Sequence, residues 1–144
     1  MEEIRLKARA KINLTLDVTG KRDNGYHELQ MIMQTVGLYD EIVLRKIPEN
    51  EIRLESNVSW LPADNRNLAW RAAELMRSTY DIQEGVLIQI DKRIPVAAGL
   101  AGGSADCAAV LVGMNKLFSL KLPAKKLEEL ALTMGTDIPY CVRR

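Results

Sequence analysis

The sequence predicts an α+β fold, in which a group of short strands is followed by a helix, a further strand and two more helices. Apolar and polar residues alternate over residues 4–18, which is the period of an extended strand. Apolar residues recur at helical spacing over residues 68–80, and a glycine-rich segment at residues 95–106 joins an alternating strand to a second helix. Because most strands precede the helices instead of alternating with them, the order favours α+β over a doubly wound sheet.

Length and composition are those of one ordinary globular domain spanning residues 1–144. The chain has 144 residues, of which 47% are hydrophobic and 27% are charged. Its 20 Lys and Arg residues and 19 Asp and Glu residues give a formal charge of +1. Such a small charge provides no strong field toward nucleic acid or anionic lipid, so we expect neither as a partner.

Cysteine use and hydropathy favour a cytoplasmic protein. Cys107 and Cys141 both lie among apolar residues in the sequence, which favours reduced thiols over a disulfide framework. The first residues mix charged and apolar side chains too finely for a signal peptide. No stretch reaches the apolar length of a membrane span, so we expect no membrane association.

The N-terminal elements are predicted as strands separated by turns. In the strand at residues 4–18 apolar residues occupy the even positions, so Lys11 and Asn13 share the polar face, where a ligand can reach them. A turn with an Asn-Gly pair follows at residues 20–25, and Tyr26 and His27 come directly after it. Further short strands are predicted at residues 29–36, 41–47 and 51–55.

The second half is predicted to contain three helices and one strand. The polar residues 64–67 supply an N-cap for the helix at residues 68–80. A strand at residues 86–90 leads through Lys92 to the glycine-rich segment, and the spacing of apolar residues over 108–115 marks the second helix. The third helix has Pro123 near its first turn and Gly135 just after its end.

The glycine-rich segment is suited to bind an anion. Gly99, Gly102 and Gly103 lie between a predicted strand and a predicted helix, so backbone N–H groups can converge on an anion at the helix N-terminus, and Ser104 adds a hydroxyl. The segment is not a Walker A loop, because no Gly-Lys-Ser/Thr ends it, and its glycine spacing differs from the dinucleotide fingerprint. By itself it is equally consistent with a turn that only lets helix and strand pack closely.

Four segments together resemble the GHMP family of small-molecule kinases. Residues 95–106, PVAAGLAGGSAD, resemble the family signature P-x-x-x-G-L-x-G-S-S-A, with Ala105 in place of the second serine. ARAKINL at residues 8–14, GYHE at 25–28 and GTDIPY at 135–140 resemble blocks of the family members that phosphorylate a cytidine-diphosphate-linked sugar alcohol in the non-mevalonate route to isoprenoids. The resemblance covers essentially the whole chain. It implies a GHMP kinase N-terminal domain, with a two-layer fold similar to a domain found in ribosomal proteins.

The resemblance implies ATP and Mg²⁺ as cofactors. Ser104 is the expected protein ligand of Mg²⁺, which phosphate and water otherwise hold. Asn67 and Lys92 are weaker candidates for the adenine or phosphate side of ATP, and they are also plausible as a helix cap and a solvated side chain. The expected ATP-binding loop consists of Pro95, Val96, Ala97, Ala98, Gly99, Leu100, Ala101, Gly102, Gly103, Ser104 and Ala105.

The resemblance also implies a catalytic pair and an acceptor site. Asp137 is expected to accept the proton of the substrate hydroxyl, and Lys11 to stabilise the developing alkoxide. From the residues alone, Asp137 is more typical of a turn or capping residue, and Lys11 of a solvated strand lysine. Asn13, Tyr26 and His27 are carried over as contacts to the cytidine-diphosphate-linked substrate, the last two to its cytosine ring. Alone, His27 is more typical of a surface loop.

Two alternative functions stay open at this point. Another GHMP kinase, acting on homoserine, mevalonate or a sugar, shares the loop but not the GYHE block. A non-catalytic nucleic-acid-binding domain of the same fold is disfavoured by the balanced charge. The resemblance further implies a second domain that closes the substrate cleft, so we expect this chain to be a truncated form with reduced or no turnover. The oligomeric state does not follow from the sequence.

Overall fold

The computed structural model describes residues 1–9, 38–94, 102–136 and 138–142, which contain four strands and four helices. The strands are β1 (Glu3–Arg9), β2 (Tyr39–Ile47), β3 (Ile52–Ser56) and β4 (Gly85–Asp91). The helices are α1 (Leu68–Thr79), α2 (Gly102–Leu117), α3 (Ala124–Leu132) and α4 (Ile138–Val142). In this described part of the chain no helix is both long and apolar enough to cross a lipid bilayer.

The four described strands form one mixed sheet in the order β1-β2-β4-β3. β2 pairs antiparallel with both β1 and β4, whereas β3 pairs parallel with β4. A parallel pair needs a crossover connection, and α1 lies in the connection between β3 and β4. A mixed sheet with most of its strands ahead of the helices confirms the predicted α+β class.

The sheet has an apolar face and a polar face, because its side chains alternate along each strand. On the apolar face Ile42, Leu44 and Ile88 are fully buried. On the polar face charged side chains pair across strands, and Arg45 donates to Glu3 at N···O distances of 2.8 and 3.0 Å. Exposed pairs of this kind contribute at most about 1 kcal/mol each. Packing of the apolar face against the helices therefore dominates the stability of the sheet.

Helix α2 is the centre of the helical layer. It packs against α1, against β1 and β2 of the sheet, and against α4, and most of its side chains are buried as a result. Gly113 faces the sheet, where a Cβ would lie 2.6 Å from Leu44 Cδ1 and 2.8 Å from Leu6 Cδ1. A Cβ essentially never lies that close to a nonbonded carbon, so the missing Cβ of Gly113 lets helix and sheet approach closely without either leucine moving.

The two cysteines are both buried, and neither is part of a disulfide. Burial raises the pKa of the Cys107 thiol to about 12, so this thiol stays protonated near neutral pH. Cys107 lies on α2 and Cys141 on α4, two helices that pack together.

The strand and first-helix predictions agree with the structure to within one or two residues. β2 begins at Tyr39, two residues before the predicted strand, and α1 ends at Thr79, one residue before the predicted end. Of the strand predicted at residues 4–18, the part up to Arg9 is confirmed. The remainder of that strand, the turn at 20–25 and the strand at 29–36 lie outside the described residues.

The C-terminal helices differ more from the prediction. α3 ends at Leu132 and has Pro123 as its N-cap, so the proline lies next to the first turn, as predicted, and the helix ends two residues before Met134. The sequence does not predict α4, because five residues are too few to show a helical period. Pro139 is the second residue of α4, a position in the first turn where its missing N–H has no helical partner to lose.

Candidate functional site

The described part of the site lies where β4 ends and α2 begins. Residues 95–101 of the predicted ATP loop connect Ile94 to Gly102, the first residue of α2. The antiparallel register of β2 and β4 continues one residue past the end of β4 and brings Lys92 beside Asp40. The two strands and the helix therefore meet at the attachment points of the loop.

Lys92 is buried and bonded to two carboxylates. Its Nζ lies 2.8 Å from Asp40 Oδ2 and 2.9 Å from Asp106 Oδ2, and its side chain is 5% exposed. Asp40 Oδ1 also accepts hydrogen bonds from the backbone N–H groups of Arg93 at 2.6 Å and Ile94 at 2.8 Å. Lys92, Asp40 and Asp106 form what we call the buried ion cluster, which joins β2, the end of β4 and the second turn of α2.

One ammonium cannot balance two ionised carboxylates, and the two aspartates respond differently. Burial opposes ionisation of Asp40, but hydrogen bonds from Asp106, the Ile94 N–H and Lys92 outweigh it and lower the pKa of Asp40. Burial, together with the nearby Asp40, raises the pKa of Asp106 well above its ordinary value. Burial also disfavours the Lys92 ammonium, but the charges and hydrogen bonds of both aspartates raise its pKa. The cluster thus places a carboxyl group whose pKa is lowered, that of Asp40, and one whose pKa is raised, that of Asp106, on the same ammonium.

The first turn of α2 presents small residues and unused backbone donors. Gly103 is exposed and Ser104 is half-buried, and no acidic side chain occupies this turn. The first N–H groups of a helix have no acceptor within the helix, and the helix dipole adds positive potential there. A Cβ on Gly103 would lie 3.8 Å from Leu68 Cδ1, so the N-terminus of α1 lies alongside. This arrangement is suited to bind an anion such as a phosphate.

Asn67 is the N-cap of α1. Its Oδ1 accepts a hydrogen bond from the Ala69 N–H at 2.8 Å, and its Nδ2 donates to the carbonyl of Pro62 at 3.0 Å. Asparagine is among the preferred N-cap residues, because its side-chain oxygen satisfies one of the free N–H groups. Capping occupies the amide oxygen and leaves one amide hydrogen for another partner. The role of Asn67 toward ATP stays a prediction.

A small cavity lies between β1, α2 and α4. Its volume is about 70 Å³, and its lining includes Arg9, Ala105 and Cys141. Arg9 precedes Lys11 by two residues, Ala105 belongs to the predicted ATP loop, and Cys141 is on the helix that begins directly after Asp137. Three segments that carry or flank predicted site residues therefore meet around one cavity. Lys11 and Asp137 themselves lie outside the described residues, and their pairing stays a prediction.

The predicted site residues fall into a described and an undescribed group. The described ones lie around the start of α2; they are Asn67, Lys92, Gly102, Gly103, Ser104 and Ala105. The others lie outside the described residues, and their roles stay predictions; they are Lys11, Asn13, Tyr26, His27, Asp137, Pro95, Val96, Ala97, Ala98, Gly99, Leu100 and Ala101.

The sequence did not assign Asp40 and Asp106 to the site, although a signal for Asp40 exists. Asp40 alternates with Ile42 and Leu44 along β2, so the strand period puts a carboxylate on the buried face. In β4 the even-numbered residues are the buried ones, and Lys92 continues that series one position past the end of the strand. Opposite charges on the buried faces of two strands indicate a buried ion pair, but only once those strands are known to be neighbours.

This fold is that of the GHMP kinases. The family described as GHMP kinases N terminal domain matches residues 67–143, more than half of the chain, and the chain belongs to that family. Among its relatives is the 4-diphosphocytidyl-2-C-methyl-D-erythritol kinase of Lachnospira eligens, which is 54% identical over 144 residues. The aligned region covers 100% of this chain and 50% of that relative.

Solved structures of related kinases share the fold. A crystal structure of 4-(cytidine 5'-diphospho)-2C-methyl-D-erythritol kinase matches with a TM-score of 0.67 and 28% identity, over 97% of this chain and 49% of the other. Homoserine kinase from Cytophaga hutchinsonii matches with a TM-score of 0.62 and 24% identity, over 72% of this chain and 34% of the other. The second likeness shows the fold alone. The chain spans about half the length of the relatives that it matches.

Proposed function

We propose that this chain provides the ATP-binding half of a kinase that transfers the γ-phosphoryl group of ATP to a hydroxyl of 4-diphosphocytidyl-2-C-methyl-D-erythritol, in the non-mevalonate isoprenoid pathway. The observation that carries the proposal is 54% identity along all 144 residues to the Lachnospira eligens kinase of that name. The N-terminus of α2 also supports the proposal, because its first turn carries small residues and no acidic side chain and belongs to the predicted ATP loop. The likeness to homoserine kinase concerns the fold and does not favour homoserine as the acceptor.

Phosphate binding would fall to the start of α2 and the loop before it. Backbone N–H groups at Gly102 and Gly103 would donate to phosphate oxygens, and the small residues there leave room for the nucleotide. Mg²⁺ fits this place, since the half-buried Ser104 hydroxyl offers the hard oxygen ligand that it prefers. Within the described residues no group of three or more acidic, histidine or cysteine side chains forms a metal cage. When bound, Mg²⁺ neutralises charge on the β- and γ-phosphates.

The acceptor side would use residues that precede β2 and the residue that precedes α4. Asp137 would accept the proton of the attacking hydroxyl, and Lys11 would stabilise the negative charge that develops on that oxygen. Asn13, Tyr26 and His27 would hold the cytidine-diphosphate part of the acceptor. Most of the rate enhancement in phosphoryl transfer comes from such positioning and electrostatic stabilisation.

The proposal is tested in this chain extended by the remaining half of the Lachnospira eligens kinase. Phosphorylation is followed by ³¹P NMR with Mg²⁺, ATP and, in turn, the cytidine-diphosphate-linked acceptor, homoserine and mevalonate. We expect only the first to be phosphorylated. Asp137→Asn and Lys11→Ala should each lower the rate by about 100-fold or more while ATP binding survives. Asp64→Asn, which changes an exposed aspartate, is the matched control.

Two results would contradict parts of the proposal. Equal phosphorylation of homoserine or mevalonate would overturn the assignment of the acceptor. Near-normal turnover of Asp137→Asn at neutral pH would overturn the assignment of the base. The cytoplasmic location, the absence of nucleic-acid and membrane partners, and residues 1–144 as a single N-terminal domain remain predictions.

A further inference from the structure

We propose that Lys92 is a positioning residue, whose ammonium holds Ile94 and the first turns of α2 in fixed relative positions through Asp40 and Asp106. The seven residues 95–101 run between these two fixed points. The inference deepens the proposed function, because residues 95–101 form most of the predicted ATP loop. It differs from the sequence prediction, in which Lys92 contacts ATP directly.

The contacts of the buried ion cluster reach both attachment points of the loop. On one side Asp40 Oδ1 accepts the Ile94 N–H at 2.8 Å, one residue before the loop begins. On the other side Asp106 lies in α2, four residues after Gly102, and its Oδ2 accepts from Lys92 Nζ at 2.9 Å. Lys92 Nζ also lies 2.8 Å from Asp40 Oδ2. One side chain therefore links the end of β4, the start of β2 and α2.

Burial of the cluster argues for a positioning role more than for a gain in stability. The side chains of Lys92, Asp40 and Asp106 are 5%, 0% and 5% exposed, so all three have lost their hydration. Buried ion pairs of this kind are often no more stabilising than apolar residues of the same volume, because desolvation offsets the attraction. In addition, Asp106 Oδ1 is buried without a hydrogen-bond partner among the described residues. What the cluster does supply is a directional link between three separate segments.

Direct contact between Lys92 and phosphate is disfavoured by the same contacts. Two of the three donors of the ammonium are committed to carboxylates, and the side chain has almost no exposed surface to offer a ligand. The negative charge of Asp40 beside it also reduces the attraction for an anion. Lys92 therefore acts on nucleotide binding through the backbone that it holds.

The experiment separates these two roles by whether one substitution strengthens or weakens ATP binding. Asp106→Ala removes a partner of Lys92. If Lys92 were a phosphate ligand, freeing its ammonium would leave ATP binding unchanged or tighter. If Lys92 positions the loop, losing Asp106 releases the start of α2, and ATP should bind about tenfold or more weakly, since displacements of about 1 Å have effects of that size or larger.

Four further variants complete the set. Asp106→Asn keeps both hydrogen-bonding positions of the side chain and should restore affinity to within about threefold of the unchanged chain. Lys92→Met should weaken ATP binding as much as Asp106→Ala, and the double variant should lose little more, because both changes break one network. Lys116→Met, which alters an exposed lysine in the last turn of α2, is the matched control.

Affinities for ATP with Mg²⁺ are measured by calorimetry on the 144-residue chain, well below each variant's melting temperature. Unchanged or tighter binding in Asp106→Ala would overturn the inference, and so would additive losses in the double variant. Hydrogen exchange of the Ile94 amide and the amides of Asp106 and Cys107 gives a readout that does not need ATP. It should speed up by about tenfold in Lys92→Met beyond the global change.

Failure of the inference and failure of the proposed function are distinguishable. If the unchanged chain bound no ATP, the proposed function would lose its support, and the inference would be decided by hydrogen exchange alone. In Lys92→Met, the amides of the cluster segments could exchange faster only by as much as the whole fold is destabilised. That result would show that the cluster does not hold these segments in place.

Discussion

Asp40 is a charged side chain that has no contact with solvent, being 0% exposed. Its carboxylate is stabilised there because Lys92 and the backbone N–H groups of Arg93 and Ile94 donate hydrogen bonds in place of water. Each donor favours the ionised form, and so the pKa of Asp40 is lowered although burial alone would raise it. A low pKa in a buried carboxylate links the stability of the fold to pH.

We expect Asp40→Asn to destabilise the chain in a pH-dependent way. The amide would remove the negative charge of Asp40 from beside the Lys92 ammonium and leave Asp106 as its remaining partner in the cluster, at a cost of about 3 kcal/mol near pH 7. Because the folded state lowers the pKa of Asp40 below its ordinary value of 3.8, the stability from this group is present above pH 3.8 and is lost as the pH falls through the folded pKa. The free energy of unfolding is measured with urea from pH 7 to pH 3. Its difference between the variant and the unchanged chain should therefore become smaller toward pH 3.

The control for this prediction is Asp64→Asn. Asp64 also pairs with an arginine, Arg66, at 2.9 Å, but both side chains are exposed. Solvent screens that pair, so its loss should change the free energy of unfolding much less than the loss of Asp40. A difference for Asp40→Asn that stays constant down to pH 3 would show that its carboxylate is not what links stability to pH.

At the residue scale, the sequence predicted types of residue better than their partners. Asn67 stands between a polar stretch and a helical pattern, and local chemistry is enough to predict its capping role. The partners of Lys92 have no such local signal, because they are 52 and 14 residues away in the sequence. The strand period puts Lys92 on the buried side of β4, but only the register of β2 and β4 shows that Asp40 lies beside it.

At the scale of elements, we expect Gly113→Ala to destabilise the chain although alanine is the better helix former. The substitution gains about 1 kcal/mol of helix propensity. It also puts a Cβ 2.6 Å from Leu44 Cδ1 and 2.8 Å from Leu6 Cδ1, and overpacking of that kind costs about 1–3 kcal/mol. The net loss should be about 1 kcal/mol in the free energy of unfolding, measured with urea.

A double-mutant cycle identifies the cause of that loss. Leu44→Val shortens the side chain that the new Cβ would meet most closely. In the Leu44→Val background, Gly113→Ala should therefore cost less than it does alone, and the two changes should not add. A gain in stability for Gly113→Ala in the unchanged chain would contradict the prediction and would indicate that both leucines move aside freely.

Strands were predicted well because one face of the sheet is buried and the other is solvated. The alternation in β1 and β4 follows directly from that difference. Helix α2 shows a different limit, because it is buried on nearly every side and so carries little amphipathic signal. Its existence was predicted from a few apolar residues, but its start at Gly102 depends on the glycine-rich segment. α4 was missed because it is only one turn and a half long.

At the scale of the whole molecule, the class of fold was predictable and the sheet order was not. The order of elements along the chain was enough for α+β. Nothing local determines that β4 inserts between β2 and β3, since that choice depends on how α1 and α2 cover the sheet. The buried ion cluster follows from that insertion, because it brings Lys92 beside Asp40. The contacts of the buried ion cluster were thus not predictable from the sequence, and the roles of the predicted site residues stay predictions.

The length of the chain relative to its relatives gives the last prediction. The chain aligns with 50% of the Lachnospira eligens kinase, and phosphoryl transfer depends on holding both substrates in line within a site shielded from water. We expect the 144-residue chain to turn over at least about 100-fold more slowly than that kinase at saturating ATP and acceptor. The matched control is the Lachnospira eligens kinase shortened to its aligned half, which should lose activity to the same extent while circular dichroism shows that it still folds. Turnover by the 144-residue chain equal to that of the complete relative would contradict this and would mean that the described sheet and helices, with the segments that join them, form the whole reaction centre.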